Sequence, residues 1–379
     1  MTYDVIVIGA GAMGGAAAYH LARDGRKVLL LEQFEFAHTR GSSHGESRIF
    51  RFAYPEIEYA RFAMQCRPLW HALEADAGEQ LLIPTGGLDF ADDADGYGEV
   101  REVATSLAAA GGAYEELDRV ALARRYPQWR LAESALGVYS PDAGVLRATR
   151  CVERMIERAA AHGAEARAGE AVTALKAIDG GVEVVTTQGR YRARKAIVTA
   201  GAWVNQVLAG VGAALPVQAT QEQVVYYPAR PGREEDFRPP RFTIWIHYRK
   251  EHTYGFPILG TPGMKIGLHH SNVNVDISAY ARSPQDWITD LLSDYIGRYL
   301  PELDAKASFE PTPCIYTSTA DHNFLIGPLP SAPDIIVGSP CSGHGFKFAI
   351  GVGRALADLA TLGGTEMGPG VVRGLGLLG

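Results

Sequence analysis

Cysteine is scarce in this chain: its 379 residues contain only four, at positions 66, 151, 314 and 341. None of the gaps between them resembles a C-x-x-C pair or the ligand spacing of a zinc site, so we expect no bound metal. Four cysteines are also too few for a disulfide scaffold. These absences favour a reducing compartment, and we expect a cytoplasmic protein.

Runs of basic residues are also absent, and the formal net charge is −7. Nucleic-acid binding depends on clustered Lys and Arg side chains that neutralise phosphates. The nearest approach to such a cluster, residues 192–195, is short and typical of a solvated strand edge. Nucleic acid is therefore excluded as a partner, and we expect the chain to act on a small molecule as a monomer.

A clean membrane-spanning run is missing as well. Residues 5–22 are nearly uncharged and long enough to span a bilayer, but they hold four glycines and His20. The preceding Met-Thr-Tyr-Asp offers no positive charge for a signal peptide. We therefore expect no membrane association.

The most informative pattern that is present lies at the N-terminus. Residues 4–8 form a continuous apolar run, typical of a parallel strand buried on both faces. Gly9, Gly11 and Gly14 follow, then a helical pattern and a second apolar strand that ends on Glu32. Glu32 follows Gly9 by 23 residues, close to the ~20 at which an acidic residue reaches a ribose hydroxyl.

This strand, turn and helix predict a dinucleotide site. The first glycine permits a tight turn, the second lets the backbone approach a pyrophosphate, and the third lets the helix pack on the strand. The N-terminus of the helix supplies unpaired N–H groups for the phosphates. Glu32 would repel a 2′-phosphate, so NADP is disfavoured, while FAD and NAD both fit.

A downstream segment favours FAD. Residues 172–178, 182–187 and 190–194 predict a small antiparallel meander with turns at Asp179-Gly-Gly and Gln188-Gly. An apolar strand that breaks into Thr199-Ala-Gly follows, which is how flavoprotein nucleotide domains return to their sheet. An NAD-dependent dehydrogenase stays open as an alternative.

In two other segments, roughly residues 80–145 and 216–313, strand and helix patterns do not alternate as they do in a series of βαβ units. Strand-like runs cover residues 221–227, 242–248 and 264–270. A helix is predicted over residues 284–299. The side chains expected on its apolar face are Trp287, Leu291, Leu292, Tyr295 and Ile296.

The sequence therefore predicts an α/β fold, α+β overall, with a Rossmann-like FAD-binding domain and a second domain built on an antiparallel sheet that binds the substrate. The FAD-binding domain is expected to be discontinuous, with a last strand over residues 334–337 and a last helix over 346–361. Its segments are 1–80, 146–215 and 314–379, and those of the substrate domain are 81–145 and 216–313.

Four separated motifs resemble the monomeric sarcosine oxidase family, which includes N-methyltryptophan oxidase. They are Gly41-Ser-Ser-His-Gly-Glu-Ser-Arg48-Ile-Phe-Arg51, Tyr254-Gly-Phe-Pro257, Cys314-Ile-Tyr-Thr317 and Ser342-Gly-His-Gly-Phe-Lys347. The similarity runs from residue 3 to about residue 363. The combination is specific, although each motif alone is not.

The resemblance implies FAD bound covalently through the sulfur of Cys314, where composition alone would favour a buried core cysteine. Cys341, beside the last motif, is the competing nucleophile. A thiolate is the reactive form, and Arg48 and His44 are neighbours expected to lower the pKa of the thiol. The other positions that the resemblance assigns to the cofactor are Gly9, Gly11, Met13, Gly14, Glu32, Ser42, Gly343, Gly345, Phe346 and Lys347.

The implied reaction is oxidation of the N–CH3 bond of a secondary amino acid, with electrons passing to FAD and then to O2. Arg51 and Lys347 match the positions that bind the substrate carboxylate, and Lys265 matches the lysine that assists oxygen. The implied catalytic set is Lys265, His269, Arg48 and Tyr254, and Tyr316 and Trp245 are expected to border the substrate. Alternation with Met264, Ile266 and Leu268 would place Lys265, Gly267 and His269 on one strand face.

Three departures from the family's pattern bear on the substrate: Phe52 stands where histidine is usual, Ala320 where proline is common, and Gly327 where aspartate often occurs. Sarcosine is the expected substrate because Trp245 should narrow the site, and N-methyltryptophan, pipecolate and other cyclic amino acids are the alternatives. The C-terminal Gly-Leu-Gly-Leu-Leu-Gly is not the peroxisomal Ser-Lys-Leu address. A catalytically silent FAD-binding protein is a third reading.

Overall fold

The computed structural model describes residues 2–372 and residue 375. The C-terminal motif discussed above lies, apart from Leu375, outside the described residues. None of the helices in the described part of the chain is both long and apolar enough to cross a membrane.

The α-helices are α1 (Ala12–Arg23), α2 (Ile57–Ala77), α3 (Tyr97–Ala110), α4 (Arg119–Arg125), α5 (Ala148–Ala161), α6 (Val204–Leu208), α7 (Asp286–Tyr299) and α8 (Ala349–Thr361). Short 3₁₀ turns cover Gly201–Trp203, Ala209–Val211, Glu234–Phe237 and Phe346–Phe348.

The strands of the first half are β1 (Thr2–Ile8), β2 (Val28–Leu31), β3 (Arg48–Phe50), β4 (Leu82–Pro84), β5 (Gly87–Ala91), β6 (Glu115–Leu117), β7 (Leu136–Ser140), β8 (Gly144–Leu146), β9 (Glu165–Arg167), β10 (Val172–Ile178), β11 (Gly181–Thr186) and β12 (Arg190–Val198). Those of the second half are β13 (Gln218–Tyr227), β14 (Ile244–His247), β15 (Thr253–Gly255), β16 (Met264–Leu268), β17 (Val273–Asn274), β18 (Phe309–Ser318), β19 (Leu325–Leu329) and β20 (Ala332–Ser339).

The first sheet has the order β10-β11-β12-β1-β2-β9, with β20 beside β12 and β19 beside β20. Strand β1 runs parallel to both β2 and β12, and β12 runs parallel to β20. Alternate side chains of β1 enter two different cores, Val5 and Val7 on one side and Ile6 and Ile8 on the other. Burial on both faces is why this strand reads as a continuous apolar run.

The predicted meander is present as β10, β11 and the start of β12, which pair antiparallel. Strand β12 is a single strand from Arg190 to Val198, whereas the sequence pattern divided it into two. Its first half closes the meander and its second half pairs parallel with β1 and β20. The α/β fold with a Rossmann-like domain is thus confirmed.

The second sheet has the order β17-β13-β16-β15-β14-β5-β7-β6, with β18 beside β13. Its pairs are antiparallel except β5 with β14, which is parallel. Strand β18 pairs with β13 from Phe309 to Ser318, so the predicted domain boundary at residue 314 falls inside a strand of this sheet.

The apolar face predicted for α7 was rotated by about one residue. Trp287 is 43% exposed, while Ile288 is fully buried together with Leu292 and Ile296. The spacing 288, 292, 295, 296 and 299 follows the helical period toward the second core. The large apolar side chain of Trp287 suggested a core position, but the side chain lies on the flank of that face.

Helices α1 and α8 pack closely over the first sheet, and a glycine makes this possible. A Cβ added at Gly353 would lie 2.4 Å from the Cβ of Ala16 and 2.5 Å from its backbone carbon. Both of these Ala16 atoms are held rigidly by helix α1, and neither is the end of a flexible side chain that could move aside. The approach of the two helices therefore depends on the missing Cβ.

We expect Gly353→Ala to destabilise the protein by about 1–3 kcal/mol, the usual cost of overpacking a filled core. Gly297→Ala is the matched control, because that glycine lies in helix α7 with nothing within 4 Å of an added Cβ. There alanine should stabilise by about 0.5–1 kcal/mol, since it restricts the unfolded chain. Urea unfolding measures both, and equal stability of the two variants would contradict the packing argument.

Candidate active site

One cavity of about 810 Å³ collects residues from both sheets. Its walls include the glycine turn at residues 9–13, the loop at 41–49 and the loop at 338–347. Strands β16 and β18 of the second sheet contribute further side chains. Segments more than 300 residues apart in the chain therefore meet at one site.

The glycine turn has the geometry of a nucleotide cradle. Gly9 has φ +98°, and a Cβ there would lie 2.6 Å from the carbonyl oxygen of Thr199. A Cβ at Gly14 would lie 1.8 Å from the carbonyl oxygen of Gly9. Gly11 differs, because its added Cβ would meet only Ser43 within 4 Å. Gly11 therefore leaves its backbone open to a ligand in the cavity.

Glu32 lies buried at the end of β2 beside this turn. Its carboxylate accepts hydrogen bonds from the backbone N–H groups of Ala10 at 2.9 Å and Phe34 at 3.1 Å. Burial alone would raise its pKa, but the bonds from His38 and these two amides hold the pKa below its usual value. The group stays ionised, as a ribose-binding acid requires.

The loop at residues 41–49 is held by Arg48. Its guanidinium donates to the carbonyl oxygens of Ser42 at 2.9 Å, His44 at 2.7 Å and Ser47 at 2.8 Å. Ser42 in turn donates through Oγ to the carbonyl oxygen of Ile315 at 2.6 Å. These bonds tie the loop to β18, so Arg48 organises the wall near Cys314.

Cys314 lines the cavity on β18, where it pairs in register with Glu222 of β13. Burial raises the pKa of the thiol to about 11, and the charge of Arg48 only partly offsets this. His44 gives no help, because burial and then Arg48 lower its own pKa to about 3 and leave it neutral. The expectation of a lowered pKa for the Cys314 thiol was therefore wrong.

Cys341 also lines the cavity, on the loop before α8. Its Sγ accepts a hydrogen bond from the backbone N–H of Thr317 at 3.4 Å. The fold thus brings both candidate nucleophiles to the same cavity, and position alone does not choose between them.

Lys265 is buried on β16 and faces the cavity. Its Nζ donates to the carbonyl oxygen of Ser47 at 3.0 Å and to Ser47 Oγ at 3.1 Å. Met264, Ile266 and Leu268 enter the second core on the other side, so the strand alternates as predicted. Burial, reinforced by the charge of Arg48, lowers the pKa of Lys265 to about 7.

His269 and Tyr316 meet beside the loop that precedes α8. His269 Nδ1 lies 3.4 Å from the hydroxyl of Tyr316. A Cβ at Gly343, whose φ is +79°, would lie 2.5 Å from the ring of Tyr316 and 2.8 Å from the imidazole of His269. The loop therefore needs glycine to approach these two rings. The other predicted residues that line the cavity are Met13, Tyr254, Gly345 and Phe346.

Arg51 also faces the cavity, but it already has an acidic partner. Its Nη1 lies 2.5 Å from Oδ1 of Asp89, and the hydroxyl of Tyr248 lies 3.1 Å from both groups. Asp89 is fully buried. Burial lowers the pKa of Arg51, but the carboxylate outweighs this and holds that pKa above its usual value.

Lys347 lies close to Arg51 at the start of the last helical segment. Its Nζ donates to the hydroxyl of Tyr54 at 2.7 Å and to the carbonyl oxygen of His344 at 2.8 Å. Both cations face the ring of Tyr54, Arg51 Cζ at 4.7 Å and Lys347 Nζ at 5.1 Å from its centroid. Burial, and then the charge of Arg51, hold the pKa of Lys347 well below its usual value.

Trp245 is not part of the cavity wall. It is fully buried in the second core, in contact with Phe90, Trp129 and Tyr295. Its neighbour Ile246 lines the cavity instead, because successive side chains of a strand point to opposite faces. The prediction that Trp245 narrows the substrate site is therefore wrong.

Sequence reasoning also missed three residues of the site: Tyr54, Asp89 and Tyr248. Asp89 offered a signal, since it is the single charged residue of the buried strand Gly87–Ala91. An acid inside such a run must find a partner, because burying an unpaired charge is costly. The tyrosines offered no comparable signal, since tyrosine is common in cores.

The residues around the cavity fit a bound FAD. Among the described residues, His44 Nε2, Thr317 Oγ1 and Ser339 Oγ are buried without a hydrogen-bond partner, and all three residues line the cavity. Buried polar groups normally have partners, so these point to a polar ligand. The described residues contain no cluster of three or more His, Cys, Asp or Glu side chains that could hold a metal ion.

Comparisons with known proteins agree with this cofactor. The profile of the family described as FAD dependent oxidoreductase matches residues 4–359. Peroxisomal sarcosine oxidase of Homo sapiens is 35% identical over 367 residues, covering 94% of this chain and 92% of that protein. Monomeric sarcosine oxidase of Bacillus sp. (strain NS-129) is 32% identical over 370 residues, covering 96% and 94%.

Solved structures show the same architecture. That of NikD, described as an unusual amino acid oxidase essential for nikkomycin biosynthesis, superposes with a TM-score of 0.83 at 26% identity, covering 96% of this chain and 95% of that one. Glycine oxidase from Geobacillus kaustophilus shares the fold, with a TM-score of 0.82 at 19% identity over 98% of both chains. Since the matches span nearly the whole chain, the protein is an FAD-dependent enzyme that belongs to the FAD-dependent oxidoreductase family and, within it, to the monomeric sarcosine oxidase group.

Proposed function

We propose that this enzyme oxidises a secondary N-methyl amino acid, with sarcosine as substrate: sarcosine + O2 + H2O gives glycine + formaldehyde + H2O2. One observation carries the proposal. A single cavity joins the glycine turn with two buried cations, Arg51 and Lys347. The relatives named sarcosine oxidases support the choice of substrate.

Bound FAD would accept two electrons from the substrate and pass them to O2. The protein would hold the flavin with the glycine turn, Glu32 and the loop at residues 41–49. It would hold the substrate carboxylate between Arg51 and Lys347 through charge-assisted hydrogen bonds. An incoming carboxylate would also raise the pKa of Lys347, because an opposite charge favours the protonated form.

His269 and Tyr316 border the place where the amine would lie. Burial holds the pKa of His269 well below its usual value, so the ring is neutral. A neutral imidazole can accept a proton or a hydrogen bond from a substrate amine. We therefore assign His269, with Tyr254 and Tyr316, to the orientation of the amine.

Lys265 would assist O2. The hydroxyl and carbonyl of Ser47 fix its amine, and a fixed positive charge stabilises the charge that develops as oxygen accepts an electron. The pKa of about 7 means that negative charge arriving in the cavity would drive the amine toward its protonated form.

We assign the covalent link to Cys314, on the resemblance of Cys314-Ile-Tyr-Thr317. Cys314 would hold the flavin through its sulfur, giving up its S–H proton. The bound flavin, with O2 as the final acceptor, would supply the two-electron oxidation that this thioether bond requires.

A monomeric state and a cytoplasmic location belong to the same proposal. The name of the Bacillus relative supports the first. Other relatives are named peroxisomal, so the second rests on composition alone.

The first test concerns the carboxylate site. Lys347→Met should lower kcat/KM for sarcosine thirtyfold to several thousandfold, since breaking a buried charge pair typically costs ~2–5 kcal/mol. Dimethylamine, which has no carboxylate, should lose much less. Peroxide release measures both rates, with Lys176→Met on the exposed edge strand β10 as the control. Equal losses for the two amines would assign Lys347 to the flavin instead.

The second test separates the two half-reactions. Lys265→Met should slow reoxidation of the reduced enzyme by O2 by at least tenfold (about 1.4 kcal/mol) while changing reduction by sarcosine far less, because the charge matters when oxygen accepts an electron. Lys265→Arg keeps the charge and should retain most of the oxygen rate. Stopped-flow traces in which Lys265→Met slows both steps equally would assign the lysine to substrate binding.

The third test locates the link. Protein with Cys314→Ser should release all its flavin into the supernatant on acid precipitation, whereas Cys341→Ser should keep a yellow pellet. Mass spectrometry of the intact chains gives the same answer independently of activity. An acid-stable flavin in Cys314→Ser and its loss in Cys341→Ser would move the link to the second cysteine.

A further inference from the structure

Asp89 is a carboxylate in a place where the rest of the strand is apolar. All five residues of β5 are buried, and Leu88 and Phe90 on one face enter the second core. Asp89 points the other way and pairs with Arg51, which the proposed function assigns to the substrate. The acid is fully buried behind that arginine and does not itself line the cavity.

The contacts show how much of Arg51 the acid uses. Within the described residues, every hydrogen bond of this guanidinium comes from Nη1, to Asp89, Tyr248 and the carbonyl oxygen of Ala53. Arg51 Nε is buried without a partner in the same residues. Asp89 therefore holds one edge of the guanidinium and leaves another edge available to a ligand.

The net charge at the carboxylate-binding end of the cavity is the sum of the charges on a few buried groups. Once a bound carboxylate has favoured the protonated form of Lys347, Arg51 and Lys347 supply two positive charges, and Asp89 cancels one of them. Of the acids that line the cavity, Glu46, Glu56, Glu99, Glu310 and Asp321 are at least partly exposed, so water screens them. Glu32 and Glu170 are buried, but they lie together beside the glycine turn, where Glu32 accepts a hydrogen bond from the backbone N–H of Ala10. Among the acids that the structure describes, Asp89 is the one that combines full burial with direct contact to a proposed substrate-binding cation.

We propose that Asp89 determines specificity by limiting the carboxylate-binding end to one net positive charge. The site then accepts a substrate that carries one carboxylate, such as sarcosine, and disfavours a secondary amine with two, such as iminodiacetate. A second carboxylate would find no uncompensated cation and would lie near the buried charge of Asp89. The inference rests on the proposed function for the location of the substrate.

The parent enzyme gives the first test. Acetate and malonate, titrated into the flavin-loaded protein by calorimetry, compare one carboxylate with two in the absence of turnover. We expect malonate to bind no more tightly than acetate. Malonate binding that is tenfold tighter or more would overturn the proposal without any variant.

Asp89→Asn gives the second test, because it removes the charge and keeps the shape. Acetate should bind on the order of a hundredfold more tightly, as expected for one charge ~6 Å from Asp89 at an effective dielectric constant of ~20, and malonate should gain more because its second carboxylate adds to the effect. The ratio of kcat/KM for iminodiacetate to that for sarcosine should rise in parallel. Equal changes for acetate and malonate would overturn the proposal.

Two controls identify the cause. Asp92→Asn removes a buried carboxylate that pairs with His247 at 3.0 Å and does not line the cavity. Tyr248→Phe removes a hydrogen-bond partner of both Arg51 and Asp89 and keeps both charges. Neither should change the ratio of acetate to malonate affinity, and a change as large as that of Asp89→Asn would assign the effect to packing.

The two proposals fail separately. An enzyme that does not oxidise sarcosine but prefers acetate as described would refute the proposed function and leave the charge count intact. An enzyme that oxidises sarcosine but binds malonate more tightly than acetate would refute only the role of Asp89.

Discussion

The structure depends on keeping basic side chains charged, or ready to be charged, although they are wholly or partly buried around one cavity. Arg48, Arg51, Lys265 and Lys347 all line it. Removing a charge from water is costly unless hydrogen bonds or an opposite charge replace the solvent. Each cation meets that cost differently. Arg48 uses three backbone carbonyls, Lys265 uses Ser47, Lys347 uses Tyr54 and His344, and Arg51 uses Asp89.

These different solutions leave the cations with different properties. Arg51 has a permanent partner, and its pKa is raised. Within the described part of the chain, Lys265 and Lys347 hydrogen-bond only to neutral groups, and burial lowers the pKa of both. The protonation of Lys265 and Lys347 therefore depends on what enters the cavity. A carboxylate or an electron that arrives there supplies the negative charge that these two lysines lack. Binding and protonation are then coupled, because each favours the other.

Much of the site could be read from short motifs because their roles are local. The alternation of β16 placed Lys265 opposite Met264 and Ile266, as predicted, since a strand has a period of two. The same rule explains the wrong prediction for Trp245. Its strand was predicted correctly, but the sequence did not show which face of that strand lines the cavity. The prediction of a lowered pKa for the Cys314 thiol failed for another reason. The charge of Arg48 could be anticipated from sequence, but the burial of the thiol that outweighs it arises only when distant segments pack around the cavity.

The sequence by itself determined the nucleotide turn, the parallel strand that precedes it and the family, because each depends on residues within a few positions of one another or on a match along the whole chain. Only the tertiary structure decided what Arg51 contacts. Asp89 lies 38 residues away and Tyr248 lies 197 away in the chain, and neither spacing has a local pattern. An ion pair between elements forms when packing brings two side chains together, so its existence is a property of the folded molecule rather than of any segment.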